Sequence, residues 1–269
     1  MPDRTSHRRE DRILFAVFAL ALVTHAFLVT RNWSVGFMLL HEFRQTQTAL
    51  ISHFIDREDN FSLLYEAPIV GKPWVSVLLE VPVYEWSVVL VSRCTGWPLV
   101  VAARSVSLAC FYLTIPALWW LFGRLGMARP RRMVSLGLVM VSPVYIFYTR
   151  SFLMESMVLM CCAWFLVGFV GMMERRRWTW FLLATVAGTG AALIKSATFA
   201  VWLIPAAAYA AWLLWRDVRS RTGWSAPLCT TFWGFAGVIV PLGLLHLWIR
   251  LTDPIKAVHA SAWIFTSTN

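Results

Sequence analysis

The sequence predicts an all-α integral membrane protein, a polytopic bundle of about seven transmembrane helices with interfacial helices in the first external loop. Three observations carry this. Of 269 residues, 59% are hydrophobic and 14% charged, where a water-soluble domain carries about 25% charged. The mean hydropathy is +0.64, so the chain could not cover its own surface in water. Apolar stretches recur along the whole length, and the arginines fall in clusters between them. That distribution makes the net charge of +10 a topology signal rather than a nucleic-acid footprint, which would align cations along one face.

The first apolar stretch, 13–29, follows Arg4, Arg8, Arg9 and Arg12. No small-x-small cleavage site comes after it, so a retained helix is expected rather than a signal peptide. Six more stretches able to cross are 99–122, 133–148, 156–173, 178–194, 197–215 and 226–249. The segment 80–97 is ambiguous, because Glu80, Pro82, Glu85 and Arg93 interrupt a moderately apolar run. Arginine placement decides it. If 80–97 lies in the interface, four cytoplasmic segments collect 14 of the 24 Lys and Arg; if it crosses, ten of those arginines move outside.

The expected map is therefore a cytoplasmic basic tail over 1–12, a membrane module over 13–251 with an external loop at 30–98, and an external tail over 252–269 that begins a further region. It places the N-terminus in the cytoplasm. Helix interiors carry almost no charge, with His25 and His246 the clear ionisable exceptions. An ion-coupled transporter or flippase usually shows charged groups in mid-span, so this class is disfavoured. The small-residue run 187–192 reads as close helix packing, and tryptophans such as Trp33, Trp74, Trp86, Trp97, Trp178, Trp215 and Trp224 as interfacial anchors. The five cysteines include no Cys-x-x-Cys pair and suggest neither a disulfide framework nor a zinc site.

Three external pieces carry the remaining charge. The first loop holds His41, Glu42, Arg44 and Gln45 at the start of a short helix, whose Phe43, Leu50, Ile51 and Phe54 could rest on the membrane. The second, 148–155, pairs Arg150 with Glu155, and the third is Lys195 between two apolar helices. Each alone reads equally as a wet interfacial helix or a snorkelling anchor of a non-catalytic scaffold. Together they bring carboxylates and cations to one membrane face.

These motifs resemble the GT-C superfamily of membrane glycosyltransferases, in particular the branch of protein O-mannosyltransferases and lipid A aminoarabinose transferases. The likeness rests on His41-Glu42-x-Arg44-Gln45-x-Gln47-Thr48-Ala49, on Glu80-Val81-Pro82-Val83-Tyr84 ahead of Arg104, on Ser142-Pro143 through Tyr148-x-Arg150 to Glu155, and on Lys195. Many members begin the first motif with Asp-Glu, where this chain has His41, and many are about twice as long. The resemblance implies a sugar transferred with inversion from a polyprenyl-phosphate donor to an extracytoplasmic lipid, glycan or protein acceptor, at a bacterial inner membrane. It implies Glu42, alone or with His41, as base; Glu155 is a further catalytic-site candidate, placed to orient the sugar or acceptor or to hold Arg150.

Such a transfer needs a carboxylate to take the acceptor proton and fixed cations for the departing phosphate. Arg44, Arg150 and Lys195 suit the phosphate, and Gln45, Glu80 and Tyr84 are expected at the substrate. No cofactor is expected beyond the lipid-linked donor. Glu42 and Glu155 alone would make a sparse divalent-metal site.

Overall fold

The computed structural model describes residues 4–34, 41–63, 66–67, 75–76, 80–220 and 225–258. Trp74, Arg221, Trp224 and the end of the expected tail, 259–269, lie outside these residues. Ten helices appear among them: α1 (Arg4–Thr30), α2 (Glu42–Glu58), α3 (Val83–Thr95), α4 (Leu99–Arg124), α5 (Arg129–Val141), α6 (Pro143–Thr149), α7 (Glu155–Arg175), α8 (Trp178–Ile194), α9 (Ser196–Arg219) and α10 (Ser225–Val258). A two-residue antiparallel pair, Glu66–Ala67 with Val75–Ser76, lies between α2 and α3.

Among the described residues, five helices are long and apolar enough to cross a membrane: α1, α4, α7, α9 and α10. Two further elements fall on the remaining expected stretches. α8 is an apolar helix of 17 residues, about 26 Å long, at the short end of what spans a ~30 Å core. The expected single helix over 133–148 is instead α5 and α6, bent by 62°. Proline is the cause. The ring of Pro143 excludes the residue before it from the helical region, and Ser142 adopts φ −63°, ψ 128°. α10 continues to Val258, past the boundary expected at 251.

α7 is the central helix. In its apolar window 78% of residues are buried, against 17% in the windows of α1, α9 and α10. In lipid the tails are as apolar as leucine, so association depends on close packing rather than on escape from water. The glycines supply it. A Cβ at Gly168 would stand 2.4 Å from the Ala184 backbone nitrogen, and one at Gly171 would stand 2.4 Å from the Trp180 ring. α7 and α8 therefore touch backbone to backbone at Gly168, and the expected small-residue run beyond it is closely packed, with Ala187, Gly188, Ala191 and Ala192 buried and Gly188 against Phe165 and Pro241. Phe165, Phe169 and Met172 of α7 fill the core against α9 and α10.

α3 has 13 residues, about 20 Å, too short to cross. It packs on α2 and α4 as the interfacial helix expected at 80–97. α2 is amphipathic in an unexpected sense. Its inward face is Gln45, Thr48, Ile51, Ser52 and Ile55, while Phe43 is 72% exposed. The polar stripe thus faces the protein.

Candidate active site

The elements at the Thr30 end of the bundle enclose a cleft. Its walls are Arg44, Gln47, Thr48 and Ile51 of α2, Glu80 and Glu85 at the start of α3, Leu153, Met154 and Glu155 at the start of α7, and Lys195 between α8 and α9. Segments separated by up to about 150 residues thus converge, because the inward face of α2 and the ends of α3, α7 and α8 meet on one side of the bundle. The cleft has about 480 Å³ of atom-free space counting its open mouth, but only about 30 Å³ admits the centre of a water-sized group. It holds a water or two, not a sugar ring.

Backbone contacts fix the carriers. The Val81 N–H donates to the Leu193 carbonyl at 3.2 Å, which ties the Glu80 segment beside Lys195. The Phe152 N–H donates to the Gln45 side-chain oxygen at 3.4 Å, which ties α2 to the turn before Glu155. The Tyr84 hydroxyl lies 3.1 Å from the Ala103 carbonyl and 2.9 Å from the Ser107 hydroxyl, which itself reaches the Ser151 and Leu153 carbonyls at 3.2 and 3.3 Å. α3, α4 and the 150–154 turn are joined by this buried network. Gln45 and Tyr84 therefore act on the backbone that presents Glu155, and neither is among the cleft walls.

Lys195 Nζ donates to Glu155 Oε1 at 2.6 Å. The other oxygen, Oε2, is buried with no hydrogen-bond partner among the described residues. Burial raises the Glu80 carboxyl above its ordinary range; Arg44 and Lys195 partly offset this and Glu155 adds to it. Burial pushes Glu85 further, to about 8, its own backbone N–H opposing and the Glu80 charge contributing. At neutral pH Glu85 is therefore largely protonated. The remaining ionisable walls are the carboxyls of Glu80 and Glu155 and the cations Arg44 and Lys195.

The other expected site residues lie elsewhere. His41 is the N-cap of α2 at φ 53°, exposed, its ring 6.2 Å from the rings of Phe147 and Tyr148. Glu42 is exposed in the first turn of α2, where the helix dipole favours an acid. Neither is among the cleft walls. Arg150 donates to the Leu28 carbonyl at 3.2 Å and the Arg31 carbonyl at 2.7 Å. Arg104 donates to the Asn32 and Trp33 carbonyls at 3.1 and 2.5 Å. These two guanidiniums satisfy carbonyls left open where α1 ends.

Glu85 entered the sequence reading only as an obstacle to crossing. A signal for it existed: Val81, Tyr84, Glu85, Val88 and Val89 follow the i, i+3, i+4, i+7, i+8 spacing of one buried helix face, and all five are buried. No group of three His, Cys, Asp or Glu side chains able to hold a metal occurs among the described residues.

The family model described as dolichyl-phosphate-mannose-protein mannosyltransferase matches residues 79–245. The matched span contains Glu80, Glu85, Glu155 and Lys195 and begins after the helix that carries Glu42 and Arg44. No curated protein and no solved structure matches the chain. The match covers more than half of the sequence and joins a polytopic helical bundle to a charged cleft at its end: the chain belongs to the dolichyl-phosphate-mannose-protein mannosyltransferase family of GT-C membrane glycosyltransferases.

Proposed function

We propose that the chain transfers a sugar from a polyprenyl-phosphate donor to an acceptor hydroxyl with inversion, on the extracytoplasmic side of a bacterial inner membrane, and that Glu155 is the base. The observation that carries this is the pairing of Glu155 with Lys195 inside the cleft, with one carboxylate oxygen left over. That oxygen takes the acceptor proton as the acceptor oxygen bonds to the anomeric carbon. The bond from that carbon to the phosphate oxygen breaks, and its electron pair leaves with the polyprenyl phosphate. The phosphate gains a negative charge, which Lys195 and Arg44 stabilise where it forms. One base and no covalent sugar intermediate suffice for inversion.

Entry of a sugar requires the cleft to widen. Arg44 is the exposed side chain at its wall, held by a long 3.4 Å contact to Gln47, and its displacement opens the site. Charge balance inside the cleft is supplied by Arg44 and Lys195, so we assign the reaction no divalent metal; a chelator should leave the rate unchanged. The acceptor is an extracytoplasmic lipid, glycan or protein.

The test compares Glu155→Gln with Glu42→Gln in purified protein given a mannosyl polyprenyl phosphate and a membrane-lipid acceptor extract. Loss of a general base lowers the rate by about 10²–10⁴-fold. That loss is expected for Glu155→Gln, with less than about tenfold for Glu42→Gln. The reverse order would move the base to the α2 terminus and overturn the assignment.

A further inference from the structure

A second recess lies at the opposite end of the bundle, between α1, α4 and α5. It has a volume of about 640 Å³ and walls that include Phe15, Phe18, Trp119 and Met133. A second groove of about 280 Å³ continues from it along α1 and α5, sharing Phe18 and Met133 and reaching Val141. The two form one apolar track. At its outer end stand Arg12 and Arg129, both exposed and neither in an ion pair among the described residues. Among the described residues no carboxylate is in the walls. Arg132 adds a fixed third cation close by, its guanidinium over the Trp119 ring at 5.5 Å and its Nε donating to the Met127 carbonyl at 2.7 Å.

We propose that this track binds an anionic glycerophospholipid, with its phosphate on Arg12 and Arg129 and an acyl chain laid along α1 and α5. Length supports a lipid of one leaflet. From Arg129 to Val141 α5 rises about 20 Å, close to the ~15 Å depth of half a hydrocarbon core plus the headgroup boundary. Charge argues against the other occupants. A second copy of the chain would bring a like-charged rim against this one. The polyprenyl donor must present its sugar at the cleft, and Arg12 lies about 27 Å of helix away from Thr30 at that end. Basic pockets between membrane helices are suited to anionic headgroups, each Lys or Arg adding to the attraction.

The test is native mass spectrometry of the full chain released from detergent, titrated with phosphatidylglycerol and with phosphatidylcholine of the same acyl chains. Phosphatidylglycerol should bind about 10- to 30-fold more tightly, Arg12→Gln/Arg129→Gln should abolish that preference, and Arg12→Lys/Arg129→Lys should keep most of it. Melting temperatures of both variants, measured in parallel, establish that they fold. Equal binding of the two lipids, or a preference that survives in the folded Gln variant, overturns the proposal. So does displacement of the bound lipid by equimolar polyprenyl phosphate, or a dimer that takes the place of lipid adducts. Sugar transfer does not enter the readout, so failure of the catalytic assignment leaves this site standing.

Discussion

The two ends of the bundle use the same charged residues in opposite ways. At the Arg12 end, Arg124, Arg132, Arg175, Arg216 and Arg219 each lie over a tryptophan ring at 5.3 to 5.6 Å. Glu174 pairs there with Arg124 and accepts from the Tyr209 hydroxyl at 2.9 Å, and Asp217 is held by Arg216 at 3.1 Å and Thr230 at 2.6 Å. These carboxylates are saturated. At the cleft end, Glu155 has one partner and one oxygen to spare, and Glu85 is buried among apolar residues of α3. Charges that anchor a helix end are satisfied and stacked, whereas charges available for chemistry are enclosed and incompletely paired.

Matched carboxylate variants break this contrast most directly. Glu155→Gln should lower sugar transfer by about 10²–10⁴-fold, while Glu174→Gln at the other end should leave it within about twofold and shift stability by less than about 1 kcal/mol, since its partner Arg124 is 41% exposed. Equal losses in the two variants, in the same transfer assay, would erase the distinction between the ends.

Glu85 sharpens it through pH. Its folded value of about 8 lies above the ordinary 4.5, so the folded chain holds a proton that the unfolded chain releases. Stability should therefore fall as pH rises from about 4.5 to about 8 and level off above that. Glu80, raised in the same direction, adds to the slope. Glu85→Gln should flatten the decline and stabilise the protein at pH 8 by up to about 4 kcal/mol. Melting temperatures in detergent between pH 5 and 9 check this, and a slope unchanged in the variant would refute it.

The smallest expected effect concerns the support beneath Glu155. Tyr84→Phe removes one hydroxyl from the buried network with Ser107 and should cost about 1–2 kcal/mol in stability. Because that network holds the 150–154 turn, kcat should fall by a few-fold with KM nearly unchanged. A change confined to KM would instead put Tyr84 in contact with substrate.

Much of the architecture was legible because membrane insertion is read from composition and charge in one dimension. Six of the seven expected stretches are unbroken helices, and α3 is short where its Glu, Pro and Arg interrupt the apolar run. The break at Ser142-Pro143 was visible as residues, but hydropathy averaged over it. The site was less legible. Glu155, Lys195, Arg44 and Glu80 were singled out and do line one cleft, while Arg150, equally prominent in its motif, turns to the end of α1. A motif records which residue types occur, not which way a guanidinium points.

By itself the sequence determined that the chain lives in a membrane, roughly where it crosses, and that charge collects at helix ends. These follow from the cost of exposing polar groups to lipid, which acts on each segment separately. Tertiary structure alone decided which helix is central, through close approach at Gly168 to the Ala184 backbone and at Gly171 to the Trp180 ring, and which carboxylates share a cavity. Pairing and burial depend on neighbours far apart in the chain, and so does the chemistry that a carboxylate left half-paired can perform.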